Sequence, residues 1–230
     1  MLLENKTAVI YGAGGAIGAA VARAFAREGA SLFLTGRNDV DALDERAVEE
    51  HLAAVGPVDI SLNAVGPGPA PQRVPLTELD ADAFARPIDF YARTNFITAT
   101  AAARHGARVI VMLTAVPGRL PAPMVGGQAP AWAAVEALSR SLALELGIRV
   151  VCLRCHAIPE TPLIEANFAT AASAAGVTAA EFRAALEQRT LLGRLPTLAE
   201  VADTAAFVAS DRAGAMTGTV VNLSAGAITD

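Results

Sequence analysis

A glycine-rich stretch directly after an apolar run suggests the clearest site chemistry in this 230-residue chain. The segment YGAGGAIGAAVARAFAREGA begins at Tyr11 and leads into an alanine-rich helical pattern. Backbone N–H groups of such a turn, with the N-terminus of the following helix, can bind a pyrophosphate that small residues allow to come close. The predicted phosphate-binding residues are Gly12, Gly14, Gly15, Ala16, Ile17 and Gly18.

A second motif, VVCLRCHAI, contains Cys152 and Cys155 and matches the Cys-x-x-Cys-His pattern of covalent haem attachment. The apolar residues around it indicate a buried strand instead. Residues three apart on a strand point to opposite faces, so the two sulfurs cannot easily converge on one ligand. We therefore expect neither haem nor a metal ion here.

Apolar runs of strand length alternate with longer helical segments, a pattern typical of a parallel sheet with helices on both faces. The predicted strands are 6–11, 31–35, 58–62, 107–113, 148–154 and 219–223. The predicted helices are 16–29, 41–55, 81–104, 129–147 and 197–210. The prediction is one α/β, Rossmann-like, doubly wound domain over 1–230, with a helical lid at about 160–190.

Several segments in a fixed order resemble the short-chain dehydrogenase/reductase family. The turn is similar to its Gly-x-x-x-Gly-x-Gly motif, with Ala16 in the middle place. VDISLNAVG resembles its Asn-Asn-Ala-Gly strand end, FYARTNFITAT its central helix, and RLPTLAEVADTAAFVASDRAGAMTGTVVNLSAG its C-terminal region. The resemblance implies a dinucleotide cofactor, which would lie against Asn63, Ala64 and Gly66, and a catalytic role for Asn95.

The end of the second predicted strand, LFLTGRN, bears on the choice of cofactor. An acidic residue there would bind the ribose 2′-hydroxyl and repel a 2′-phosphate, whereas a guanidinium can pair with that phosphate. This chain has Gly36 and then Arg37, which favours NADP(H) over NAD(H). The alternative is that Arg37 is an ordinary solvated arginine.

One helix–strand unit of the family has no counterpart here. Only Asn38, Asp39 and Val40 separate Arg37 from Asp41, the place of the family's adenine-contacting acid. A crossover between parallel strands needs about a dozen residues, so an edge unit is absent and the expected strand order is 2-1-3-4-5-6. Asp41 then has two interpretations, an adenine contact or the start of the 41–55 helix.

The family's proton-transfer residues are also missing. The resemblance implies a serine, a tyrosine thirteen residues later and a lysine four beyond that, and these places hold Ala115, Gln128 and Trp132. Misalignment does not explain this, because the chain has one lysine, Lys6, and no Tyr-x-x-x-Lys pair. General acid catalysis typically contributes about 10²–10⁴-fold, so the loss of these residues weakens redox chemistry without excluding it.

His156 is the first candidate for a substitute acid. It lies where the family's Pro-Gly turn borders nicotinamide and substrate, and histidine titrates near neutral pH. The alternative is a histidine that only packs against the lid or caps a strand end. Thr114 could orient a carbonyl or be a plain strand residue. The lid's Leu163, Ile164 and Phe168 suit an apolar ligand or equally a subunit contact.

Composition and charge limit the kinds of partner that this chain is expected to bind. The net charge of −5 and the lack of a basic run exclude a nucleic-acid partner, and no apolar run has the length of a membrane span. The N-terminus lacks a signal-peptide layout, so we expect a cytoplasmic protein.

The resemblance implies a homodimer or homotetramer through helices 81–104 and 129–147. The expected function is an atypical NADP(H)-dependent oxidoreductase for a small apolar carbonyl or alcohol; the alternative is a non-redox protein of the same fold, either an enzyme such as a cyclase, isomerase or dehydratase or a nucleotide-binding protein.

Overall fold

The computed structural model describes residues 1–68, 72 and 74–229. Six parallel strands form one sheet in the order β2-β1-β3-β4-β5-β6, which confirms the predicted order and the Rossmann-like class. The strands are β1 Thr7–Tyr11, β2 Ser31–Thr35, β3 Ile60–Asn63, β4 Val109–Ala115, β5 Arg149–Cys155 and β6 Thr219–Leu223. The helices are α1 Ala16–Arg27, α2 Glu45–Val55, α3 Ala81–Arg104, α4 Gln128–Leu146, α5 Pro162–Ala175, α6 Ala179–Glu187 and α7 Leu198–Ala209.

The strands are buried on both faces because their side chains alternate between two apolar clusters. Ala8 and Ile10 of β1 pack in the cluster that contains residues of α1 and α7. Val9 and Tyr11 pack in the other cluster, with residues of α2, α3 and α4. Each face of the sheet is therefore covered by its own layer of helices.

The side chains of the two cysteines likewise lie on opposite faces of the sheet. Cys152 lies in the cluster under α2, α3 and α4, and Cys155 lies in the cluster on the opposite face. Burial raises the pKa of each thiol to about 12. Within residues 1–68, 72 and 74–229, no group of three His, Cys, Asp or Glu side chains could hold a metal ion.

One predicted helix boundary is wrong. Helix α2 begins at Glu45 instead of residue 41, because Asp44 is its N-cap and accepts a hydrogen bond from the Ala47 N–H at 3.1 Å. Asp41 stands in the turn before it, where its carboxylate accepts the Leu43 N–H at 3.0 Å. Asp41 is therefore not the first residue of the helix, and the other element ends differ from prediction by at most two residues.

The segment predicted as a lid contains α5 and α6, which follow β5. Phe168 of α5 is buried against Phe182 of α6, with ring centroids 5.9 Å apart. Phe168 thus joins the two helices to each other, while Leu163 is exposed at the start of α5. In the described part of the chain, no helix has both the length and the apolar character needed to cross a membrane.

Candidate functional site

The glycine-rich turn between β1 and α1 is tightly folded. Gly12 has φ +78°, and a Cβ atom there would lie 2.7 Å from the Ala64 carbonyl oxygen. A Cβ atom on Gly18 would overlap the Gly12 carbonyl oxygen. Gly14 is different, because nothing lies within 4 Å of the place of its Cβ. The turn is closed on the protein side and open above Gly14.

The N-terminus of α1 at this turn carries no internal cap. Its N-cap residue, Gly15, offers no side chain, and no acidic residue stands in the first helical turn. The first N–H groups of a helix lack partners within the helix and favour an anion. Gly14, Ala16 and Ile17 surround this end of the helix, which fits a pyrophosphate group.

A shallow pocket lies beside the turn. Its interior volume of about 10 Å³ corresponds to roughly one water molecule, so an adenine ring would lie over this surface and not deep within it. Arg37 is exposed at this pocket, and the preceding Gly36 N–H donates to Asp39 at 2.8 Å. The pocket lining brings the glycine turn together with both predicted adenosine-side residues: Tyr11, Gly12, Gly36, Arg37, Val40, Asp41, Ala42, Val65, Phe90 and Thr94.

The end of β3 and the residues after it contact the glycine-rich turn. Asn63 is buried, and its side-chain amide donates to the Thr98 hydroxyl at 3.1 Å while its Oδ1 accepts the Val65 N–H at 2.9 Å. The Ala64 N–H donates to the Tyr11 carbonyl at 2.9 Å. Asn63 therefore shapes the chain here, while Ala64 is half-buried and Gly66 is exposed.

The places that the resemblance assigns to the family's serine, tyrosine and lysine lie near the carboxyl end of β4. Ala115 ends β4, Gln128 begins α4, and Trp132 follows one helical turn later. The Trp132 and Tyr91 rings contact each other, with centroids 6.2 Å apart. Burial raises the pKa of Tyr91 to about 12, and a hydrogen bond with Trp132 opposes this shift. Two aromatic rings thus fill the region that the resemblance assigns to the lysine.

Asn95 lies on α3, one turn after Tyr91. Its side-chain amide donates to the Tyr91 carbonyl at 2.9 Å. Its Oδ1 is buried and has no hydrogen-bond partner among the described residues. A buried acceptor without a partner costs about 1–3 kcal/mol, so this oxygen is suited to a donor from water or ligand.

A buried ion pair that sequence analysis missed lies beneath this region. Arg154 of β5 donates to both carboxylate oxygens of Glu136 on α4 at 2.8 Å, and the two side chains are 4% and 7% exposed. The Thr114 hydroxyl donates to the same carboxylate at 3.1 Å. This geometry gives no support to the prediction that Thr114 orients a substrate carbonyl, because its hydroxyl is engaged inside the protein.

His156 directly follows β5, beside the end of β4. Its backbone N–H donates to the Leu223 carbonyl at 3.1 Å, and Ala115 pairs in register with the adjacent Cys155. Burial lowers the pKa of His156 below the usual histidine value, so the imidazole is mostly neutral at pH 7. His156 and Ala115 therefore lie at the same edge of the sheet as the glycine turn.

The chain is similar to known proteins over most of its length. Residues 41–227 match the family model described as Enoyl-(Acyl carrier protein) reductase. An uncharacterized oxidoreductase of Mycobacterium tuberculosis is 31% identical over 97% of this chain and 92% of the relative. The cis-4-hydroxycyclohexanecarboxylate dehydrogenase of Sinomonas cyclohexanicum is 29% identical over 96% of each chain.

The fold has many solved counterparts. A crystal structure of sorbitol-6-phosphate 2-dehydrogenase from Erwinia amylovora superposes with a TM-score of 0.88, at 22% identity over 97% of this chain and 100% of the other. Identity at that level supports the shared fold alone. The alignment with the Mycobacterium tuberculosis relative extends over 254 positions, more than the 230 residues of this chain, so that relative has residues without a counterpart here.

Proposed function

Because the chain belongs to the short-chain dehydrogenase/reductase family of oxidoreductases, we propose that it is an atypical NADP(H)-dependent member. Its reaction would interconvert a carbonyl and an alcohol on a small, apolar substrate. One observation carries the proposal: the uncapped start of α1, open above Gly14, lies beside the pocket that Arg37 borders. The name of the Sinomonas cyclohexanicum relative, a dehydrogenase of a ring alcohol, agrees with that reaction class.

Each part of the cofactor has residues suited to hold it. The backbone N–H groups of the glycine turn would bind the pyrophosphate, and Arg37 would pair with the 2′-phosphate. Asp41, in the turn before α2, lines the pocket and would border the adenosine. Asn63 keeps the floor of the site in shape through its bonds to Thr98 and Val65. When bound, NADP(H) supplies or accepts a hydride at its nicotinamide ring.

His156 is the residue we assign to proton transfer at the nicotinamide end. The neutral imidazole can accept a proton from an alcohol, and the imidazolium can donate one to a carbonyl oxygen. The Oδ1 of Asn95 is available to a bound water that passes this proton on. We assign α5 and α6 to a lid over the substrate, with the exposed Leu163 facing it.

The lowered pKa of His156 gives a testable pH dependence. Its folded pKa lies below the usual value near 6.5, so the protonated fraction is lost as pH rises through that lower pKa. We expect carbonyl reduction to slow and alcohol oxidation to accelerate over this acidic range. His156→Ala should remove this pH dependence and lower the rate on the order of 100-fold. Stopped-flow rates from about pH 5 to 8 measure both, and an unchanged profile in the variant would rule out the assignment.

Calorimetric titration with NADPH and NADH tests the cofactor assignment. We expect one NADPH site per chain, and Arg37→Ala should weaken NADPH binding about tenfold because charge-assisted hydrogen bonds are worth about 1.5–3 kcal/mol and this one is exposed. NADH binding should not change. Arg46→Ala, an exposed arginine on α2, is the matched control. Equal losses of NADPH affinity in both variants would contradict a 2′-phosphate contact at Arg37.

The contact between Trp132 and Tyr91 favours a second candidate, a non-redox protein of the same fold. Aromatic side chains there leave no proton relay of the family's type. Such a protein would bind the dinucleotide without turning it over, as a nucleotide-binding protein does, or would act as a cyclase, isomerase or dehydratase. One experiment distinguishes the two candidate functions. An oxidoreductase transfers deuterium from deuterated NADPH to a carbonyl in a substrate panel, whereas a non-redox protein does not.

A further inference from the structure

Helix α3 contains a buried proline, Pro87. Proline has no backbone N–H, so the carbonyl of Ala83, one helical turn earlier, lacks the partner that it would have in a regular helix. Ala83 is itself buried, which keeps water from replacing that partner. Because a buried carbonyl without a hydrogen bond costs stability, this carbonyl needs a donor from elsewhere in the chain.

The side chain of Gln72 supplies that donor. Gln72 lies on the connection between β3 and α3 and is buried. Its Nε2 donates to the Ala83 carbonyl at 2.6 Å, and its Oε1 accepts the Gly127 backbone N–H at 2.9 Å. Gly127 is the N-cap residue of α4 and directly precedes Gln128. One side-chain amide therefore joins the start of α3 to the start of α4.

The start of α4 lies very close to the same part of α3. A Cβ atom on Gly127 would overlap the Phe84 carbonyl oxygen and would lie 3.0 Å from Cγ of Pro87. A Cβ atom on Gly126 would lie 2.5 Å from Oε1 of Gln72. Glycine at both positions lets the two helices approach closely enough for one amide to bond to both.

The two joined helices carry the aromatic contact of the candidate site. Pro87, Tyr91 and Asn95 are four residues apart on α3 and share one face of it. Gln128 and Trp132 are likewise one turn apart at the start of α4. The rings of Tyr91 and Trp132 contact each other across the two helices. The Gln72 bridge therefore lies next to this contact, at the end where α4 begins.

We propose that Gln72 is a positioning residue for the substrate end of the site. Its two hydrogen bonds hold the start of α4 against α3 and so set where Gln128 and Trp132 lie relative to Tyr91. This inference rests on the proposed function, which places the reacting carbonyl at this end of the site. Neither hydrogen bond reaches the glycine turn, so cofactor binding does not depend on Gln72.

The first test is the variant Gln72→Met, which keeps an unbranched side chain of similar length but removes both hydrogen bonds. We expect kcat for NADPH-dependent reduction of small apolar aldehydes and ketones to fall on the order of tenfold, because a misplacement of about 1 Å can cost up to about 100-fold. NADPH affinity, measured by calorimetry, should not change. An unchanged kcat, or an equal loss of kcat and of NADPH affinity, contradicts a positioning role at the substrate end.

The matched control for this variant is Thr217→Val. The Thr217 hydroxyl also bridges two backbone groups, since it accepts the Val150 N–H at 3.2 Å and donates to the Ile148 carbonyl at 3.0 Å. Those groups lie at the amino end of β5, at the edge of the sheet opposite the site. Thr217→Val should lower the melting temperature and leave kcat unchanged. Equal losses of kcat in the two variants would overturn the proposal.

The second test restores the missing helical bond. Pro87→Ala gives residue 87 an N–H that can donate to the Ala83 carbonyl, so the bond from Gln72 becomes redundant. Gln72→Met should therefore lower kcat and the melting temperature much less in the Pro87→Ala background than alone. This background also keeps the test usable if Gln72→Met alone does not fold. Equal losses in both backgrounds would show that Gln72 does not serve the carbonyl that Pro87 leaves free.

A third measurement needs no turnover, because Trp132 is the chain's single tryptophan. Without cofactor, Gln72→Met should shift the Trp132 emission to longer wavelength as the indole loses its contact with Tyr91, and Thr217→Val should not. If the unmodified protein binds NADPH but reduces no carbonyl, the proposed function fails, and this shift still supports the positioning of Trp132 by Gln72. Identical emission in Gln72→Met and in the unmodified protein would overturn the inference.

Discussion

The β1–α1 turn and the β4–α4–β5 region lie at the same edge of the sheet but have opposite characters. The turn has small residues and an uncapped helix N-terminus that faces open space at Gly14. The second region is filled, with the Trp132 ring packed on Tyr91 above the buried Glu136–Arg154 pair. The sequence features that suit phosphate binding are present, whereas the places that the resemblance assigns to the family's serine, tyrosine and lysine hold Ala115, Gln128 and Trp132.

Introducing the family's serine, tyrosine and lysine should give the largest change in reaction rate. The triple variant Ala115→Ser, Gln128→Tyr and Trp132→Lys should raise the rate of NADPH-dependent carbonyl reduction by about 100-fold or more, since a positioned general acid contributes about 10²–10⁴-fold. Gln128→Tyr alone is the control, because without the lysine the phenol keeps a high pKa. Stopped-flow oxidation of NADPH by a panel of aldehydes provides the rates. A triple variant that binds NADPH but gains no rate would show that the filled region has lost more than these three residues.

Breaking the buried ion pair should have a large effect on stability. Arg154→Met leaves the Glu136 carboxylate buried and should lower the free energy of unfolding by about 3–5 kcal/mol, whereas adding Glu136→Leu should restore most of it. Urea denaturation measures both variants. Arg183→Met, which breaks an exposed pair with Glu187, is the control and should cost at most about 0.5 kcal/mol. If both arginine variants lose equally little, Glu136 does not depend on Arg154.

Variants at two glycines distinguish a role in folding the turn from a role in binding the cofactor. Gly18→Ala should destabilise the protein by about 1–3 kcal/mol, because its Cβ would overlap the Gly12 carbonyl. Gly14→Ala has free space and should leave the melting temperature nearly unchanged while weakening NADPH binding. Thermal melts and calorimetry on the same samples compare the two. NADPH affinity that survives Gly14→Ala would place the phosphates elsewhere.

Local sequence patterns were sufficient for most of the fold. Apolar runs predicted the six strands, because a strand pattern depends on residues close in the chain, whereas the strand order followed from the family resemblance and the absent edge unit. The start of α2 was misplaced because Asp41 and Asp44 are both suitable caps, and only the backbone conformation selects Asp44. The oligomeric state and the lid remain predictions.

The site was less predictable because its contacts are between distant residues. Glu136 and Arg154 are 18 residues apart, and the packing of α4 on β5 brings them together. Two charged residues inside otherwise apolar segments were the signal that could have revealed the pair. The use of the Thr114 hydroxyl and the Asn63 amide inside the protein also depends on strand register, which single-sequence patterns do not specify.

The most direct test of the contrast between the two regions uses Trp132, the chain's single tryptophan, as a reporter at the filled region. NADPH bound along the glycine turn would extend its reduced nicotinamide towards Trp132, and that ring absorbs at the wavelengths where tryptophan emits. We predict saturable quenching of Trp132 emission by NADPH, which Gly14→Ala weakens. An unchanged emission at saturating NADPH would contradict the account, because the cofactor would then not extend from the glycine turn to the filled region.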